Sequence, residues 1–140
     1  MKRWSKVILA VGLVALLACT LLACGGGGGG AAASTPEETV RNFLSAHEAV
    51  DVHRAADCCT GDALEWVQAM GEPPAGVAII MRVSNLRTEV ASQTEDTATV
   101  EAYYNWYESL AGEEWQGPVH ETYYLVNIDG RWYIEDWYEH

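Results

Sequence analysis

From residue 35 onward the apolar positions follow two different rhythms. Val40, Phe43 and Leu44 recur at helical spacing, and His47 continues their stripe. Just ahead of them, Thr35-Pro36-Glu37-Glu38 supplies an N-cap threonine, a proline at the first helical position and a glutamate three residues after the cap. His47 is read as a partly buried core histidine. A second helix is expected from Asp51, a good cap, with Val52, Ala55, Ala56 and Cys59 on its apolar face. Thr60-Gly61-Asp62 should end it, with Asp62 capping a third segment through Leu64, Val67 and Met70. Residues 71–76, rich in glycine and proline, must be a loop.

Beyond that loop the period falls to two, the signature of strands. Val83–Gln93 reads as one strand, starting as early as Val77, and Ala98–Ser109 as the next. An odd-length turn at Thr94-Glu95-Asp96 pairs Val90 with Val100 and Leu86 with Tyr104, so that apolar residues share a face. Leu110–Val119, with Trp115, Gly117 and Pro118, is expected to be a loop. The last hairpin is the sharpest local signal: His120–Ile128 and Arg131–Tyr138 flank Asp129-Gly130, a type I′ turn sequence.

Extending that turn outward pairs Asn127 with Trp132, Leu125 with Ile134 and Tyr123 with Asp136. The other face then carries Tyr124, Val126, Ile128, Tyr133 and Trp137. Both faces are apolar, whereas a sheet with one wet face alternates apolar with polar. Two candidate sites follow. Tyr124, Tyr133 and Trp137 form a candidate interaction face, suited to self-association or a partner protein. Tyr123, Trp132 and Asp136 form a candidate pocket, in which Asp136 would be a desolvated carboxylate if its face is interior.

Helices first and long strands after them predict an α+β domain, with helices packed on one face of a curved antiparallel sheet of about four strands. Pro36–Leu44, Asp51, Ala55-Ala56, Asp96–Val100 and Asp129–Ile134 together resemble the nuclear transport factor two-like superfamily, especially its lipoprotein branch. The resemblance runs from about Pro36 to Trp137 and implies a cone-shaped sheet around helices. Some members, such as ketosteroid isomerases and polyketide cyclases, place a carboxylate base and tyrosine or acid donors inside the cone. No such constellation is matched here residue by residue, and the fold itself carries no activity.

The start of the chain has another pattern. Lys2, Arg3 and Lys6 precede an apolar run from Val7, the layout of a secretory signal. Leu21-Leu22-Ala23-Cys24 resembles a bacterial lipobox, which makes residues 1–23 the signal and Cys24 the lipidated first residue of the mature protein. Leu16-Leu17-Ala18-Cys19 is a second match, and an uncleaved membrane anchor is the other reading. Cys24 is preferred because Gly25–Gly30 and Ala31–Ser34 follow it, a flexible tether reaching roughly 17 Å. The expected organisation is 1–23 signal, 24–34 tether and 35–140 one α+β domain. The protein is expected to be exported and anchored at the outer face of the cytoplasmic membrane or to the outer membrane.

Removal of the signal leaves five arginines against 20 acids. That balance argues against nucleic acid and against adsorption to anionic lipid. Cys58 and Cys59 are adjacent and are not expected to bond to each other, with Cys59 a core residue and Cys58 at the boundary. No Cys/His spacing suggests zinc, His47, His53, His120 and His140 are scattered, and neither metal nor cofactor is expected. The favoured role is a non-catalytic envelope module, tethered to the membrane, that binds a partner protein, a second copy or a small hydrophobic ligand. A cone enzyme of the isomerase or cyclase type and a structural spacer are the alternatives.

Overall fold

The structure is a computed structural model and describes residues 32–140. The expected signal segment, Cys24 and most of the expected tether lie outside the described residues. No described helix is long and apolar enough to cross a membrane.

Three helices precede the sheet: α1 (Pro36–Glu48), α2 (Val52–Ala56) and α3 (Gly61–Met70). The Thr35 hydroxyl accepts from the Glu38 N–H, and the Asp51 carboxylate accepts from the Arg54 N–H, as their cap positions require. The expected Asp62 cap is not found. Thr60 is the N-cap of α3 and makes no side-chain cap bond. The reason lies in the preceding backbone, which is tied to the sheet: Cys58 O accepts from Ile134 N (2.9 Å) and Thr60 N donates to Ile134 O (2.8 Å). The helix starts where the chain leaves that bridge.

The chain joins the fold ahead of Thr35. Ala32 is buried, and Ala33 O accepts from Trp132 N at 2.9 Å. The Thr39 hydroxyl, fully buried, accepts from Ala33 N and donates to Trp132 O, both at 2.9 Å. A buried hydroxyl without such partners would cost about 1–3 kcal/mol.

Four antiparallel strands follow in chain order: β1 (Ile79–Gln93), β2 (Thr97–Leu110), β3 (Glu113–Ile128) and β4 (Arg131–Glu139). Val90 pairs with Val100, and Asn85 and Leu86 share the place opposite Tyr104 as a bulge. The α1 helix touches β1 at two points, where Glu48 Oε1 accepts from Val83 N (2.6 Å) and Arg41 donates to the Thr88 hydroxyl (2.9 Å).

The expected loop at Leu110–Val119 is instead strand. Ala111 and Gly112 both take positive φ (52° and 90°), which closes a tight turn, and Glu113–Val119 pairs with β2. Pro118 is tolerated because β4 ends opposite Glu121. Pro118 therefore has a strand neighbour on one side only. The last turn is as expected, with Asp129 and Gly130 at φ 53° and 82°.

Beyond Ile134 the last hairpin departs from the expected register. Leu125 pairs with Ile134, but Tyr124 pairs with Asp136, so Glu135 is an extra residue. Every later residue of β4 changes face. Trp137 comes opposite Tyr123 and Asp136 moves outside. Gly61 packs against the bulge: at φ +53°, an added Cβ would meet Glu135 Cγ at 3.2 Å. The core fills the concave side, with Val40, Phe43 and Leu44 of α1 against Val100, Tyr123, Leu125 and Ile134 of the sheet.

Candidate functional site

Polar groups gather on both faces of the sheet. Inside the cone, Glu121 follows the same alternation as Tyr123 and Leu125. Both Tyr104 and Tyr123 donate their hydroxyls to Glu121 Oε2, Tyr104 at 2.7 Å. Burial pushes the Glu121 carboxyl up, the two hydroxyls oppose that, and Glu139 on β4 adds to it. Burial, then the Glu121 charge, drives the Tyr104 and Tyr123 hydroxyls well above their ordinary range. A desolvated carboxylate beside phenols is proton-transfer chemistry in kind. Here, however, one oxygen already receives both donors, and Tyr123 is fully buried.

The expected pocket of Tyr123, Trp132 and Asp136 is not assembled. Tyr123 and Trp132 are buried in the core, whereas the Glu135 bulge turns Asp136 outward. There Asp136 is exposed, and its carboxylate accepts from Trp137 N at 2.8 Å. The expected face of Tyr124, Tyr133 and Trp137 is likewise divided. Tyr124 is 46% exposed. Tyr133 is half-buried and borders a depression beside His53 and Leu64. Trp137 turns inward against Phe43 (5.4 Å between ring centroids) and edge-on to Trp66 (4.8 Å). Cys58 and Cys59 are both thiols and both buried, which corrects the boundary position expected for Cys58. Burial, with Asp57 adding to it, pushes the Cys58 thiol up to about 12.

On the outer face a row of side chains runs from β1 across β2 and β3 to the residue just after β4. Arg87 lies over the Tyr103 ring (4.7 Å), Tyr103 stacks on His120 (4.3 Å), and His120 stacks on His140 (4.0 Å). Glu101 and Thr122 form the next row. His120 Nε2 is 2.7 Å from Glu101 Oε2, and the Thr122 hydroxyl lies 3.0 and 2.9 Å from the two Glu101 oxygens. Thr122 Oγ1 is also 2.8 Å from His140 Nε2. Slight desolvation of Glu101 would raise its carboxyl. The hydrogen bonds from His120 and Thr122 and the two imidazole charges outweigh that and hold it below the usual range. Arg87, Tyr103, His120 and His140 also border an open concavity of about 530 Å³.

Neither cluster was found by sequence reasoning. Glu121 could have been, since it shares the parity of Tyr123 on a strand already delimited. The histidine pair could not, because His140 falls on the side of His120 only once the bulge is counted.

No family model and no curated protein matches the chain. Solved structures do. The intermembrane-space region of the chloroplast protein ARC6 superposes with a TM-score of 0.60 at 15% identity, over 74% of this chain and 92% of that one. A ketosteroid isomerase-like protein from Erwinia carotovora atroseptica gives 0.52 at 16% identity, over 72% and 88%. The fold is the nuclear transport factor two-like cone. At such identities the likeness is one of fold alone. The cone is shared by proteins with unlike descriptions, so function must be argued from this chain's own sites.

Proposed function

We propose that the protein is a lipid-anchored envelope protein whose domain binds through the outer face of its sheet and catalyses no turnover inside its cone. One observation carries this reading. The one acid–phenol cluster described inside the cone is closed on itself, Glu121 with Tyr104 and Tyr123, beside the Phe43 ring. The outer face instead presents His140, Tyr138 and Tyr124 to solvent, Tyr138 at 54% exposure. The lipobox-like Leu21–Cys24 and the glycine run after it supply the anchor and the leash. The acidic surface keeps the domain off anionic lipid and leaves this face free for a second copy or an envelope partner.

Two measurements test this. Cys24→Ser should abolish palmitate labelling and leave unprocessed precursor; label that persists there but disappears in Cys19→Ser moves the anchor to Cys19. Sedimentation of the detergent-solubilised lipoprotein should show a complex that Tyr124→Glu weakens and Glu37→Gln does not. A monomer at every concentration, with nothing co-purifying, contradicts docking through this face.

A cone enzyme is the second reading, favoured by the buried Glu121 beside two phenols. It requires turnover that Glu121→Gln removes while the fold stays intact.

A further inference from the structure

We propose that Glu101, His120 and His140 form a binding site for a divalent transition metal ion of the zinc class. The inference rests on reading the outer face as the binding surface, and it names a ligand for that face. One atom from each residue is available, and the three atoms lie within 4.8 Å of one another. They come from β2, from β3 and from the residue just after β4, so the sheet itself sets their spacing. His140 is held in that register by its backbone N–H, which donates to His120 O at 3.0 Å.

Ligands about 2.0–2.2 Å from a tetrahedral ion stand roughly 3.3 Å apart. His120 Nε2 and Glu101 Oε2, now 2.7 Å apart, would open by about half an ångström as the ion replaces the hydrogen between them. His140 is exposed, so its ring can turn out of the stack and aim its Nε2 lone pair at the ion. Binding then releases protons, as metal binding at imidazole does.

The surroundings are those of a prepared site. The Thr122 hydroxyl, on a residue only 6% exposed, reaches both Glu101 oxygens and orients the carboxylate. Tyr103 fixes the His120 ring by stacking, and Arg87 covers Tyr103 from the far side. Two imidazoles and one carboxylate suit zinc, cobalt, nickel or copper, whereas calcium and magnesium want oxygen ligands. Three protein ligands leave one position open to water or to a partner's side chain. By contrast His53 and Glu72, 3.3 Å apart, are a two-residue surface contact with both side chains largely exposed.

The test is a titration of the full-length lipoprotein in detergent, stripped with chelator, with zinc followed by calorimetry and cobalt by its visible spectrum. One ion per chain is expected, with the absorption of a tetrahedral nitrogen–oxygen site. His120→Gln and His140→Ala should each weaken binding by at least tenfold, and Thr122→Val by about tenfold through the misplaced carboxylate. His53→Ala should change nothing. His140→Ala is an exposed substitution, so circular dichroism should report an unchanged fold. Equal affinity in wild type, His120→Gln and His140→Ala overturns the proposal. Sedimentation of the stripped protein with and without added zinc separates the two claims: a complex that forms while zinc fails to bind overturns the metal site alone, and no complex in either condition overturns the face.

Discussion

His120 and His140 stack with ring centroids 4.0 Å apart and planes 12° from parallel. An unbroken continuation of the Asp129-Gly130 hairpin would put His140 on the opposite side of the sheet from His120. The one extra residue at Glu135 brings them together, and the same insertion turns Trp137 into the core and Asp136 out of it. One bulge therefore sets what each face of the last two strands can do.

Gly61 lies against the bulge. Its φ of +53° costs an alanine about 1–2 kcal/mol, and the new Cβ would also meet Glu135 Cγ at 3.2 Å. Gly61→Ala should lower the unfolding free energy in urea by about 2 kcal/mol. Gly117→Ala, where an added Cβ meets nothing within 4 Å, should leave it nearly unchanged. Equal effects would show that neither the φ of Gly61 nor its contact with Glu135 constrains this position.

The Glu121 cluster is held to be structural, and substitutions can separate shape from hydrogen bonding. Glu121→Leu leaves the Tyr104 and Tyr123 hydroxyls unpaired, at about 1–3 kcal/mol each. Glu121→Gln keeps an acceptor and, since burial already disfavours the charge, should cost less than about 1 kcal/mol. Adding Tyr104→Phe and Tyr123→Phe to Glu121→Leu should recover most of the loss. Chemical denaturation of the four proteins decides it; a harmless Glu121→Leu would mean that water reaches these hydroxyls.

His47 gives the fold a pH dependence. Its Nε2 is buried without a partner, and burial lowers its pKa from the usual 6.5 to about 4. The unfolded chain therefore binds this proton more readily than the folded one. The contribution is fully present above pH 6.5 and is lost as pH falls toward 4, by up to about 3 kcal/mol. His47→Leu should remove that loss, so that the variant keeps more of its stability than wild type at pH 4.5. Parallel wild-type and variant stability curves between pH 7 and 4.5 would show that His47 is not the group responsible.

Much of this was legible in the sequence, for local reasons. The Thr35 and Asp51 caps, the three-residue turn after Gln93 and the Asp129-Gly130 turn act within a few residues, and each appears where the chain signals it. The α+β order followed from the change of period. What stayed hidden was set by contacts distant in sequence. Glu135 looks like any exposed strand residue, and what its bulge packs against, Gly61 and the 58–60 segment docked on Ile134, is more than seventy residues away in sequence. Residues 113–119 read as a loop because Gly117 and Pro118 suggest one. They pair with β2, and Pro118 is tolerated there because that stretch of β3 has a strand neighbour on a single side.

The central claim is the division of faces made by the Glu135 bulge, and inter-residue nuclear Overhauser effects measure it most directly. In isotope-labelled protein the rings of His120 and His140 should show mutual contacts, and the Trp137 indole should show contacts to Phe43. Cross-strand contacts pairing Tyr123 with Asp136, with none between the two histidines, would restore the unbulged register and contradict the account.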